Sequence, residues 1–357
     1  MGQSRLREPG GHAAALLDWY DRCARDLPWR VGPAERACGV RPDPYHVWLS
    51  EIMLQQTTVR SAWRYFEEFI DRWPTIGDLA AAADDDVMAA WAGLGYYARA
   101  RNLLKTARIV AQSRGGRFPE KESELRKLPG VGTYTAAAMA AIAFDRPAAV
   151  VDGNVKRVLA RLDGLRTLST TDHDFRERAR QLTPTARPGD YVQAVMDLGA
   201  TVCRPRAPRC ADCPWESCCL ARLSGSPESY PGRVSRLPKP VHRCLAYVAV
   251  RADGAVLLEK RPESGLLGGM LGWPGSDWAA PDEPHAPPCD AEWETVDGEV
   301  RHVLTHLDLR LTVQVAQVAG DCRPCKGDFV ERALFEPRHL PSVMQKVWRV
   351  AEKTLNK

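Results

Sequence analysis

Long apolar runs are missing from this chain. Nowhere do eighteen apolar residues follow one another, and the Ala-rich stretch 136–144 is far too short to cross a bilayer. The N-terminal MGQSRLREPGG lacks the apolar centre of a secretory signal, and no internal repeat is visible. A soluble, cytoplasmic protein with no membrane partner is expected. A strong net charge is missing too. The formal +4 over 357 residues neither demands nor excludes a nucleic-acid partner, because a local basic surface hides easily behind a small total. The eleven cysteines do not form a secreted disulfide framework: their number is odd, and Cys203, Cys210, Cys213, Cys218 and Cys219 crowd into seventeen positions. A reducing compartment and a metal site fit that usage better.

The 45% of hydrophobic residues can bury more than one core, so two domains are expected. From about Gly11 to Leu220, apolar residues recur three and four apart, which predicts helices over 13–23, 47–72, 85–92, 97–111, 133–143, 153–161 and 191–202. This many-helix region spans 1–223. The stretch 224–240, SGSPESYPGRVSRLPKP, is rich in Pro, Gly and Ser and reads as an extended linker. Beyond it the period changes. Residues 242–250 and 255–260 flank Asp253-Gly254 as a hairpin, 303–318 alternates like a strand, and 342–355 closes as a helix. A mixed α/β domain over 241–357 follows.

Cys203, Cys210, Cys213 and Cys219 are spaced C-x6-C-x2-C-x5-C with Pro205, Pro208 and Pro214 inside the run. Proline keeps such intervals out of helix, so four thiolates can converge, and soft sulfur ligands admit tetrahedral zinc or a four-iron cluster. Four protein ligands leave no open position for a substrate, which makes the centre structural. Cys218 stands beside Cys219 and competes for its place. Cys322-x2-Cys325 has no second pair nearby and reads as non-ligating.

Leu128-Pro129-Gly130-Val131-Gly132 lies between two helical patterns. It is either a plain helix–helix turn or a hairpin whose outward amides, at the start of a helix, accept a phosphate. Tyr134 opens the helix after it. Asp152 follows the apolar run Ala148–Val151 and precedes a helix, as an ordinary N-cap or as a carboxylate held to stabilise positive charge. Glu51 lies in an otherwise largely apolar helical stretch. Facing water it would be unremarked; facing the core, its pKa would rise toward that of a general acid. One carboxyl to protonate and one to stabilise is the division of labour of glycoside chemistry. Residues 93–102, GLGYYARARN, set aromatics beside cations, as packing or as a base-stacking surface.

Together these stretches resemble a family: the adenine DNA glycosylases of the helix–hairpin–helix superfamily, which act on adenine mispaired with 8-oxoguanine. The resemblance is carried by LPWR (27–30), DPYHVWLSEIMLQQTTV (43–59), GLGYYARARNL (93–103), LPGVGTYTAAA (128–138), VVDGNVKRVLARL (150–162) and the cysteine run. It implies an all-α helix–hairpin–helix region with a [4Fe-4S] loop, followed by a Nudix-like α/β domain that reads the 8-oxoguanine strand. It implies Glu51 as the acid protonating adenine N7 and Asp152 as the group stabilising the oxocarbenium ion or a transient covalent adduct. Tyr134 would support that Asp, and Asn154 would lie beside the sugar and the water. Gln56 and Tyr96 would act at the mismatch, and Leu128, Gly130, Val131 and Gly132 at the backbone. The implied partner is duplex DNA with an adenine:8-oxoguanine or adenine:guanine mispair, bound by a monomer.

Departures from the family sharpen the expectation. Bifunctional relatives carry Lys just after the hairpin, where its amine attacks the sugar; Tyr134 stands there instead, implying base excision without lyase chemistry. A working Nudix hydrolase needs a helix with several Glu for magnesium, which does not follow GLLGGMLGWPG (265–275), so recognition is implied. The family's Phe-Ser-His segment is Leu304-Thr305-His306 here, which leaves Thr305 and His306 as polar readers without the aromatic. The segment after Trp29 is lengthened, which leaves Trp29 unplaced. The rival reading is a thymine- or uracil-mismatch glycosylase, against which Glu51 and the second domain argue.

Overall fold

A computed structural model describes residues 9–165, 170–232, 238–262, 265–278, 286–304 and 306–355. By contacts the chain falls into two compact units, Met1–Ala82 with Asn102–Ser235, and Ala83–Arg101 with Arg236–Lys357. The grouping of Ala83–Arg101 with the C-terminal part has no counterpart in the sequence pattern, which marks a helix there but not the unit it joins.

In chain order the helices are α1 (Pro9–Cys23), α2 (Pro33–Ala37), α3 (Pro44–Met53), α4 (Val59–Arg72), α5 (Ile76–Ala81), α6 (Asp84–Ala90) and α7 (Ala98–Ser113). They continue as α8 (Glu122–Leu125), α9 (Thr133–Ile142), α10 (Gly153–Leu162), α11 (Asp172–Leu182), α12 (Pro188–Asp197) and α13 (Leu220–Leu223). Side-chain caps start several of them. Asp43 accepts from Tyr45 N ahead of Pro44, Thr58 from Ser61 N, Thr171 from Asp174 N and Asp152 from Val155 N. The Thr58 cap corrects the single helix expected over 47–72: the chain breaks after Met53, passes Gln56 at a φ of 58°, and restarts as α4. The core of the helical unit joins α1, α10, α11 and α12 through Leu16, Tyr20, Val158, Leu159, Phe175, Leu182 and Leu198, with Trp215 buried against them. The expected extended linker begins packed: Pro227–Ser229 is a short 3-10 turn and Tyr230 is buried, its carbonyl accepting from Arg161 Nε at 3.1 Å.

The second unit is built on a six-stranded mixed sheet: β1 (Val241–Arg251), β2 (Val256–Lys260), β3 (Leu271–Gly272), β4 (Glu294–Val303), β5 (Asp308–Val318) and β6 (Asp328–Val330). The order is β3-β2-β1-β5-β4, with β6 on β2; β1 and β5 run parallel, the other pairs antiparallel. α14 (Ser342–Leu355) lays Val343, Met344, Val347 and Ala351 on one face, against Val248, Leu309, Leu311 and Val313. The expected strand 303–318 divides: β4 ends at Val303, Leu304 N bonds Leu307 O at 2.8 Å across the tip, and β5 begins at Asp308.

Candidate active site

α3 has no solvent face. Tyr45 and every residue from Val47 to Met53 are buried, Glu51 among them at 7% exposure. Its carboxyl opens on a cavity of about 60 Å³ in the helical unit, where Leu27, Trp29, Val47, Leu54 and Val59 form an apolar wall and Arg30, Tyr134 and Gln193 supply polar atoms. Burial raises the Glu51 pKa to about 7, against the lowering effect of a Tyr134 hydrogen bond and the Arg30 charge, while the Asp152 charge raises it further. The group is thus poised between acid and base near neutrality.

Tyr134, expected beside the aspartate, feels the charge of both carboxyls. Its hydroxyl hydrogen bonds Glu51 and lies 3.9 Å from Met196 Sδ, while Asp152 acts on it through charge. Burial and both carboxylates push its own pKa well up, so it is a donor rather than a base. Asp152 is the N-cap of α10: Oδ1 accepts from Val155 N at 2.7 Å and Oδ2 from Asn154 Nδ2 at 3.2 Å. Both carboxylate oxygens are therefore fixed in place at a helix N-terminus. Asn154 Oδ1 in turn accepts from Arg157 Nη2 at 2.8 Å, and Arg157 also donates to Gly199 O and Cys203 O, each at 2.8 Å.

Sequence reasoning missed the residues behind this pocket. Asp197 is fully buried and holds Arg30 in a two-point pair at 2.8 and 2.9 Å, with Arg25 Nε at 2.7 Å. Gln193 is 2% exposed and its Nε2 has no partner, an amide left waiting in the cavity wall. The lengthened segment after Trp29 folds as α2 and is tied down away from the pocket, Arg36 pairing with Asp145 at 2.5 Å and Asp190 at 3.0 Å. Trp29 is therefore free to stay in the cavity wall despite the insertion.

Cys203, Cys210, Cys213 and Cys219 line one small cavity with Arg161 and Arg222, whereas Cys218 turns its sulfur to His12 Nε2 at 3.6 Å and Trp215 O at 3.4 Å. The π-helical turn Leu198–Val202 delivers Cys203 directly after α12. Arg161, 2% exposed, lays the loop in place, donating to Cys203 Sγ at 3.4 Å, Arg204 O at 2.7 Å and Pro205 O at 3.2 Å. Burial pushes the Cys213 thiol up to about 12 and raises Cys210 and Cys219. Among the described residues no three His, Cys, Asp or Glu side chains gather tightly enough to share one ion. Tetrahedral zinc, with bonds of about 2.3 Å, would need its sulfurs roughly 3.8 Å apart. A shared cavity without that convergence fits a group larger than one ion.

At the hairpin, Leu128 and Val131 point inward and are buried, while Gly130 and Gly132 are exposed. Gly130 needs glycine twice over: its φ is 73°, and a Cβ would lie 2.8 Å from Asn102 Cβ. Gly132 is extended and heads α9 with no side-chain cap, so its amide end is open. Gln56 and Tyr96 are both exposed at positive φ, 58° and 50°. Arg99 lies 5.7 Å from the Tyr96 ring. His306 is exposed at the β4–β5 tip; Thr305 lies outside the described residues.

Comparison with known proteins decides the family. A model for HhH-GPD superfamily base excision DNA repair proteins matches residues 49–185, which hold Glu51, Tyr134 and Asp152. One for the NUDIX domain matches residues 245–350. The adenine DNA glycosylase of Homo sapiens is 36% identical over 400 aligned positions, covering 94% of this chain and 73% of its own. This chain belongs to the adenine DNA glycosylases. That of Mus musculus is 38% identical over 87% of this chain and 70% of its own. A thermostable thymine-DNA glycosylase of known structure superposes with a TM-score of 0.54 at 29% identity, over 60% of this chain and 97% of its own. The chain is accordingly a DNA glycosylase of base excision repair, with a helix–hairpin–helix region followed by a Nudix-like domain. No described helix is long and apolar enough to cross a membrane.

Proposed function

We propose that this glycosylase hydrolyses the N-glycosidic bond of adenine mispaired with 8-oxoguanine or guanine in duplex DNA, as a monomer and without strand cleavage. The observation that carries the reading is Glu51: a carboxyl with a pKa of about 7, at the end of an apolar slot, hydrogen bonded to a tyrosine and electrostatically coupled to a second carboxylate. A flipped purine enters at this slot, which has to open beyond its resting volume of about 60 Å³ to admit the base. Protonated Glu51 donates to N7, so the base leaves neutral. The unpartnered Gln193 amide meets the purine edge. Asp152, fixed by Val155 N and Asn154, stabilises the positive sugar, and Asn154 orders the attacking water. Tyr134 donates a hydrogen bond but brings no amine, which supports a monofunctional enzyme.

The four loop cysteines would hold a [4Fe-4S] cluster; bound there, it supplies a structural crosslink and positive charge that stabilises buried thiolates, not a reaction step. The catalytic region is 1–223 and the recognition region 241–357, with 224–240 between them. Gly130 and Gly132 present backbone to a phosphate, Leu128 and Val131 anchoring that turn from within. Gln56 and Tyr96 meet the distorted stack, and Thr305 and His306 read 8-oxoguanine.

Single-turnover excision tests the reading, using duplexes with adenine opposite 8-oxoguanine, guanine and thymine, and with uracil and thymine mispairs. Fast release from the first and negligible release from adenine–thymine are expected. Preferential pyrimidine release would overturn it in favour of the thymine-mismatch activity named for the structural relative.

A further inference from the structure

The second unit brings Cys289 to the distant pair Cys322 and Cys325. Cys289 is 7% exposed on the sheet face opposite α14, packed with Ala249, Leu257, Ala316 and Val318. Cys322 packs against the same group, close enough for each thiol to act on the other electrostatically. The segments that carry them are already joined, since Cys325 N donates to Pro288 O at 2.7 Å. Cys325 itself is exposed, with its sulfur 3.8 Å from Pro287 O. No three such side chains among the described residues converge on a single ion.

We propose that Cys289 and Cys322 form an oxidative modification site, a reversible disulfide made by exchange with a low-molecular-weight disulfide. Cys289 lies just ahead of β4 and Cys322 just after β5, so the bond closes the open end of the hairpin whose tip carries His306. Cys322, the less buried of the pair, attacks first: its thiolate takes one sulfur of the reagent and expels one thiolate. Cys289, buried where the reagent does not reach it and with its thiol pushed up by that burial, is the resolving group. It gives its proton to water and attacks the Cys322 sulfur, expelling the second reagent thiolate. Two protein thiols are oxidised and one small disulfide is reduced to two thiols. A crosslink enclosing the whole hairpin restrains the unfolded chain and fixes the base of the reading tip.

The test uses full-length protein equilibrated anaerobically with mixtures of oxidised and reduced glutathione, then alkylated and mapped by peptide mass. A peptide pair joining Cys289 to Cys322 is expected, two hydrogens lighter than the reduced pair and reversed by dithiothreitol. Its formation raises the melting temperature of this unit by several degrees. Cys322→Ser and Cys289→Ser abolish both effects and Cys325→Ser preserves them. The proposal is overturned if Cys289 and Cys322 stay alkylatable at every ratio, if Cys322–Cys325 accumulates instead, or if zinc alone shields all three thiols. Peptides of the 203–219 loop are mapped in the same digest, so thiols lost there do not count.

Discussion

The Glu51 pocket and the Cys203–Cys219 loop treat titratable groups alike and arrive at opposite ends. In each, burial penalises the charged form: the Glu51 carboxyl rises to about 7 and the Cys213 thiol to about 12. For the carboxyl, a value near 7 makes a neutral acid available where a leaving base needs a proton. For the thiols, the same penalty leaves a group that is inert until a cation arrives to accept the thiolates. On the proposed function, the same desolvation serves an acid in one place and a cofactor site in the other. The difference lies in what else is buried, Tyr134 and the Arg30–Asp197 pair in the first and further sulfurs in the second.

The largest expected effect breaks the comparison from the chemical side. Glu51→Gln and Asp152→Asn each lower single-turnover adenine release by about 10³-fold or more, the scale of removing a general acid or a preorganised charge. Duplex binding by gel shift and iron content stay at the wild-type level in both. Iron loss in Glu51→Gln would show that the two regions are one cooperative unit. Next in size is Cys213→Ser, which removes a soft ligand from the loop. It should release iron, seen as loss of visible absorbance, and weaken duplex binding by tenfold or more, while Cys218→Ser retains the iron because its sulfur faces His12.

Much of this was legible in the sequence, and the failures have physical causes. Asp152 as an N-cap, the hairpin glycine at Gly130 and the shared lining of the four cysteines follow from local spacing, which a chain displays directly. The burial of Glu51 does not, because α3 is apolar on every side and its periodicity points nowhere. Asp197 and Gln193 were invisible for another reason: Asp197 meets Arg30 across 167 residues, and nothing local marks a polar group for a distant partner. β4 was missed because a register shift between Thr295 and Glu299 breaks its alternation, leaving only Val296 and Val300 buried.

A pH series separates the two regions more finely. If Glu51 is the proposed acid it works protonated, so release at saturating enzyme should be level below about 7 and fall tenfold per unit above it, while iron content stays constant. The same shift has a stability cost of known sign. The folded pKa of about 7 exceeds the ordinary 4.5, so stability is full below 4.5 and is lost as pH rises through 7. Glu51→Gln should therefore stabilise the protein at pH 8 by up to about 3 kcal/mol and by almost nothing at pH 4, read as denaturant midpoints. A pocket shaped for folding rather than chemistry would give the reverse.

The smallest effect tests a physical link between the pocket and the cysteine loop. Arg157 donates from Nε to Cys203 O and from Nη2 to both Gly199 O and Asn154 Oδ1, and Asn154 holds Asp152. Arg157→Lys keeps the charge but loses the planar fork, so the carbonyls and the Asn154 amide can no longer be held together. Release should slow by roughly tenfold, about 1.4 kcal/mol of barrier, with iron retained and the pH midpoint unmoved, because Glu51 is untouched. If release is unchanged while iron is lost, Arg157 serves the loop alone, and the pocket and the cluster site are separate devices that happen to share a helix.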